Sequence, residues 1–131
     1  MEWAKDVKFK NVYITSKKFN NYQYNVLITL EDTTKSKSIK YWVSASSGKK
    51  RREFEVFEEK EVKSLGGIKA LFWIKEAILD FPFFYGNPYN KTEYICIAWA
   101  DNRRRNIYER LKKEGFVFAM ESGVKILRKK L

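Results

Sequence analysis

Lys63-Ser64-Leu65-Gly66-Gly67-Ile68 opens the stretch whose reading decides the fold. Asp101-Asn102-Arg103-Arg104-Arg105-Asn106-Ile107-Tyr108-Glu109-Arg110-Leu111-Lys112-Lys113-Glu114-Gly115-Phe116 closes it. Between the two, Ile68, Leu71, Phe72, Ile74, Ala77, Ile78 and Phe81 recur at helical spacing, with Lys69, Glu76 and Asp80 on the polar side. Trp73 widens the apolar stripe, so the helix is expected to lie flat on a sheet, and Pro82 is expected to end it. Residues 83–91 read as an aromatic loop. Tyr94-Ile95-Cys96-Ile97-Ala98-Trp99 is nearly all apolar, which predicts a central strand covered on both faces. In the closing piece Asp101 suits an N-cap, Ile107, Tyr108 and Leu111 form a narrow buried stripe, and Gly115 suits the left-handed position after a helix.

Upstream the period is two. Val7, Phe9, Val12 and Ile14 predict a strand over residues 6–15 with a one-residue slip at Asn11. Residues 16–23 are polar and read as a connection. Tyr24, Val26, Ile28 and Leu30 share one face of the next strand, and Ile39, Tyr41, Val43 and Ala45 share one face of the strand after it. Residues 53–59 predict another strand, whose period Phe57 breaks. Downstream, residues 116–120 and 124–128 flank a turn at Glu121-Ser122-Gly123 and predict a hairpin. The expected order is β-β-β-β-α-β-α-β-β. That is an α+β fold, with a mixed but mostly antiparallel central sheet and two main helices, in one domain over residues 1–131.

Composition narrows the chemistry. The chain has 131 residues, 44% hydrophobic and 17% aromatic, enough for a real core. It has no histidine, which excludes Ser-His and Cys-His nucleophiles and removes the commonest zinc ligand. One cysteine, Cys96, permits no internal disulfide. No apolar run reaches membrane-spanning length, and Met1-Glu2-Trp3-Ala4-Lys5-Asp6 lacks a signal-peptide core, so a cytoplasmic protein is expected. With 27 Lys plus Arg against 16 Asp plus Glu, the net charge of +11 favours polyanionic partners.

A helix start offers unpaired N–H groups and the positive end of a dipole, and glycines let an anion approach the backbone. Lys63, Ser64, Leu65, Gly66, Gly67 and Ile68 therefore form a candidate phosphate-holding turn. An ordinary strand-to-helix turn would read the same way.

At Gly66-Gly67, and at the run from Arg104 to Leu111 followed by Gly115-Phe116, the chain resembles the GNAT superfamily of N-acetyltransferases over about residues 50–131. The resemblance implies an acyl-CoA N-acyltransferase-like fold, in which the turn before a central helix holds the pyrophosphate of acetyl-CoA. Another strand and helix follow, and a hairpin closes the fold. It implies acetyl transfer from acetyl-CoA to an amine acceptor, on a protein among other choices. Lys63 stands where the family has Arg or Gln, and Ile68 where it has Gly or Ala. A register shifted by one residue would use Gly67 alone. The family's catalytic tyrosine position falls on Leu111. Tyr108, one turn earlier, is the candidate acid, although a core role beside Ile107 and Leu111 suits it too. Glu55, Glu58 and Glu59 are candidate bases, with Glu58 chosen. Asn102, Arg104 and Arg105 are candidates to grip the adenosine phosphates. The family also carries helices between its first two strands, and residues 16–23 are too few for them.

The competing reading is a catalytically inactive GNAT-like basic module, of phage or mobile-element type, that binds nucleic acid or a host protein. Lys49-Lys50-Arg51-Arg52, the helix over residues 102–113, and the group Lys125, Arg128, Lys129 and Lys130 are three basic clusters for an anionic partner. Trp42 and Trp99 can stack on bases or sit in the core.

Overall fold

The computed structural model describes residues 1–19, 22–47, 52–53, 65–98 and 111–131. Its strands are β1 (Ala4–Lys5), β2 (Val12–Phe19), β3 (Tyr22–Glu31), β4 (Ser38–Ser47), β5 (Arg52–Glu53), β6 (Thr92–Ala98), β7 (Val117–Glu121) and β8 (Val124–Lys130). One long helix, α1 (Leu65–Tyr85), separates β5 from β6. Residues 111–113, the described end of a second helix, precede β7.

The sheet has the order β1-β2-β3-β4-β6-β8-β7, with β5 paired to β4. β2, β3 and β4 form an antiparallel meander. The chain is thus a mixed α+β fold with a mostly antiparallel sheet. Its one parallel pair among the described strands is β4 with β6. The alternating residues of β3 (Tyr24, Val26, Ile28, Leu30) and β4 (Ile39, Tyr41, Val43, Ala45) are all buried. α1 covers them with Ala70, Trp73, Ile74, Ala77, Ile78 and Phe81, also buried. Each large apolar side chain so enclosed stabilises the fold by about 1.5–3 kcal/mol. β6 meets the expectation of a central strand, since Ile95, Cys96 and Ile97 are buried on alternating faces.

Several sequence expectations need correction. Residues 6–15 are not one bulged strand. β1 and β2 are separate, and the slip at Asn11 is a left-handed residue with φ 62°. Asp6 holds the turn between them, its Oδ1 accepting from the amides of Lys8 at 2.7 Å and Phe9 at 3.0 Å. Val7 and Phe9 are consequently exposed. The polar segment 16–23 is mostly ladder rather than loop, because register with β3 runs from Val12↔Thr29 to Phe19↔Tyr22. Cross-strand hydrogen bonding does not need apolar side chains. Pro82 does not end α1, which continues to Tyr85. A helical proline forfeits one backbone bond, but Phe84 and Tyr85 pack on Phe81 at 5.7 and 6.4 Å between ring centroids. Gly86 ends the helix, with φ 81° and its amide donating to the Pro82 carbonyl at 3.0 Å. Phe72, counted in the apolar stripe, is 63% exposed. Of the strand expected over residues 53–59, only Glu53 is described, and it belongs to β5.

The C-terminal end follows its turn chemistry. Gly115 has φ 97°, and the amides of Gly115 and Phe116 donate to the carbonyls of Lys112 and Leu111, which is a Schellman closure. The final hairpin turns at Ser122 and Gly123 with φ 50° and 80°, both left-handed as a two-residue loop between twisted strands requires.

Candidate functional site

β4 and β6 run parallel in register from Ser38↔Thr92 to Val43↔Ile97. A parallel pair needs a crossover, and α1 supplies it. Trp73, near the start of α1, contacts Phe19 at 6.2 Å, and Phe19 contacts Tyr24, the register partner of Ser47 at the carboxyl end of β4. Phe81 and Tyr85, near the end of α1, contact Tyr41 in the first half of β4. The helix therefore runs opposite to β4, and its N-terminus lies toward the carboxyl ends of the parallel strands. In α/β sheets ligands settle at that edge, where loops and helix starts converge.

Leu65, Gly66, Gly67 and Ile68 are already helical. This corrects the expectation of a glycine turn ahead of the helix: both glycines lie in its first turn, where backbone N–H groups lack intrahelical acceptors. Lys63, Ser64, Glu58, Tyr108, Asn102, Arg104 and Arg105 lie outside the described residues, as do the alternative bases Glu55 and Glu59 and the second stacking candidate Trp99.

The parallel neighbour of β6 over residues 92–97 is β4. Beyond Val43, β4 continues past β6. Its Ser46 and Ser47 pair with β3 and also with Glu53 and Arg52 of β5. Since β3 takes one edge there, β5 takes the other, the one β6 occupies lower down. Among the described residues Ser44 and Ala45 have no register partner on that edge, and Ala45 is buried.

The sheet face away from α1 has no described helix on it, in keeping with the short connection between β2 and β3. Register places Lys40 and Trp42 of β4, Tyr94 and Cys96 of β6, and Arg128 of β8 on this face. Lys40 Nζ donates to Glu121 at 2.9 Å, and Arg128 approaches the same carboxylate at 3.4 Å. The bond from Lys40 holds the Glu121 carboxyl below its ordinary range, and reciprocally Glu121 raises the Lys40 ammonium. Trp42 Nε1 donates to Glu31 at 3.1 Å, and the Arg128 guanidinium lies 4.8 Å from the centre of the Tyr94 ring. Cys96 is fully buried beneath these groups, and burial pushes its thiol up to about 12, which removes it as a nucleophile at neutral pH. Trp42 is thus a half-buried residue of the open face rather than part of the core.

A third polar cluster escaped sequence reasoning. At the amino end of the parallel pair, Asp32 accepts from Lys91 Nζ at 2.6 Å and from the Tyr85 hydroxyl. Tyr41 donates to Glu93 at 2.6 Å. Burial, then the bond to a carboxylate, raises both phenols above their ordinary value. These contacts tie the end of α1 to the loop after β3. Asp32 sits among turn residues, and only the three-dimensional return of residues 85–91 supplies its partners.

Fold and site together define a mixed α+β protein with a crossover helix between two parallel strands and an open sheet face bearing cations and aromatics. No family model, curated protein or solved structure matches the chain. Among the described residues no group of acidic, cysteine or histidine side chains could hold a metal, and no helix is long and apolar enough to cross a membrane.

Proposed function

We propose that the chain is a GNAT-like N-acetyltransferase, moving acetyl from acetyl-CoA to an amine. The observation that carries this reading is the course of α1, which starts at Leu65-Gly66-Gly67 toward the carboxyl ends of β4 and β6. A pyrophosphate there meets unpaired amides and the positive helix end. The order that follows, β6, a helix ending at Gly115-Phe116, and the β7–β8 hairpin, agrees with the family's. In this reading Glu58 takes the proton of the acceptor ammonium, the amine attacks the thioester carbonyl, and Tyr108 protonates the departing thiolate. Lys63, Ser64 and the amides from Leu65 to Ile68 hold the pyrophosphate, and Asn102, Arg104 and Arg105 hold the adenosine phosphates. Isothermal titration with acetyl-CoA is expected to give heat with a micromolar Kd, and Lys63→Glu is expected to weaken it about tenfold. Absence of heat at millimolar acetyl-CoA rejects the reading.

The open sheet face favours a second reading, a non-catalytic basic module that binds single-stranded nucleic acid. Lys40, Arg128 and Lys130 can meet phosphates, and the Trp42 and Tyr94 rings can meet bases. A gel shift with single-stranded oligonucleotide is expected to weaken steeply as salt rises. Salt-independent retardation would contradict it.

A further inference from the structure

The outer edge of the sheet beside β1 is only partly used. β1 pairs with β2 at Ala4↔Ile14 and Lys5↔Tyr13 and no further. β2 runs on to Phe19, and among the described residues no strand pairs with its outer edge over residues 15–19. The direction of its polar groups follows from one bond. The Asp6 amide donates to the Val12 carbonyl at 2.8 Å, so Val12 faces outward. Alternation then turns the amide and carbonyl of Ile14, Ser16 and Lys18 outward, and those of Tyr13, Thr15 and Lys17 toward β3. Ala4 meets Ile14. Ser16 and Lys18 are left presenting their amides and carbonyls in line with β1.

An open groove of about 950 Å³ lies along this edge, between β2 and α1. Trp3, Trp73 and Phe84 give it an aromatic lining, and Thr15 and Lys17 line it from the strand. Trp3 leaves the ladder for the helix, with its Nε1 donating to Asp80 at 3.0 Å and its ring meeting Phe81 at 4.9 Å. Lys17 lines the groove together with Glu2 and Glu76, while Lys18 is exposed on the opposite face of the same edge and Lys5 is exposed on β1, on a chain of net charge +11. Lysines on an edge strand oppose pairing with a second copy, because two-fold pairing would set like charges side by side. They do not oppose an acidic strand.

We propose that residues 15–19 of β2 are a docking edge for an acidic, extended peptide segment of another protein. The segment adds to the sheet as an antiparallel strand in line with β1. Its main chain bonds to Ser16 and Lys18, its apolar side chains face Trp3, Trp73 and Phe84, and its carboxylates, on the opposite face, meet Lys18. The proposal is independent of the acetyltransferase reading.

The test uses the full chain and a short fluorescein-labelled peptide alternating valine with aspartate, read by fluorescence anisotropy. Binding is expected. Methylating the peptide's amides on the ladder side should abolish it while leaving the protein untouched. Lys18→Pro removes one outward amide at a position where an edge strand tolerates proline, and is expected to weaken binding about tenfold, the equivalent of one lost hydrogen bond. A peptide carrying lysine for aspartate should bind at least about tenfold more weakly. The proposal is overturned if the valine–aspartate peptide does not bind, or if the methylated peptide binds equally well. A dimer in sedimentation that Lys18→Pro dissolves would also overturn it, by making the occupant a second copy.

Discussion

Phe81→Ala is expected to destabilise the fold by about 4 kcal/mol, the range for a buried phenylalanine that leaves a cavity. Phe81 is fully buried and stands where the sheet, α1 and the N-terminal residues meet. Its ring lies 4.9 Å from that of Trp3, 5.1 Å from Tyr13 and 5.6 Å from Tyr41. These neighbours come from three separate segments, so none can collapse into the space without breaking its own strand register or its bond to Asp80 or Glu93. Phe72→Ala on the same helix, at a residue 63% exposed, should change stability by less than about 0.5 kcal/mol. Urea unfolding of both variants decides the matter. Similar midpoints would mean that α1 is seated on the sheet by a different face.

Asp32→Asn is expected to cost about 3 kcal/mol at neutral pH, because it removes the carboxylate charge from beside a largely enclosed ammonium, which keeps its bond to the Thr33 carbonyl at 2.7 Å. The side chains of Lys91 and Asp32 are only 9% and 8% exposed. Burial alone would raise the Asp32 carboxyl, but the bonds from Lys91 and Tyr85 outweigh it and hold the group below its ordinary value. A carboxylate whose folded pKa is depressed adds stability above its unfolded value, near ~3.9, and loses that contribution as pH falls through the folded value. Wild type and Asp32→Asn should therefore differ most at neutral pH and converge in acid. Urea midpoints measured across this range test the sign. A gap that stays constant down to about pH 3 would show that the Asp32 charge is not what the Lys91 contact uses.

Strands β3 and β4, the helix α1, the central strand and the closing hairpin were legible because each carries a strong local signal. β3 and β4 alternate without a break, α1 repeats at helical spacing, and Ser122-Gly123 adopts the backbone its residue types favour. The candidate site was less legible. The glycine pair marks a helix start, yet whether glycines precede a helix or belong to its first turn depends on how far the helix winds back, and spacing does not encode that. That β6 takes β4 as its parallel neighbour is not encoded in the residues of β6 themselves. Strand pairing joins residues far apart in the chain, and several apolar strands present similar faces to a newcomer.

The amino-acid sequence by itself determined the α+β class, the strongly basic charge and the absence of histidine chemistry, all of which depend on residue identity or on near neighbours. Only the tertiary structure decided that α1 runs through Pro82, that Asp32 meets Tyr85 and Lys91, and that no described strand pairs with the outer edge of β2 beyond Ile14. Each of these depends on which distant segment arrives at a given place, and packing energy summed over the whole sheet outweighs the local preference of any one residue.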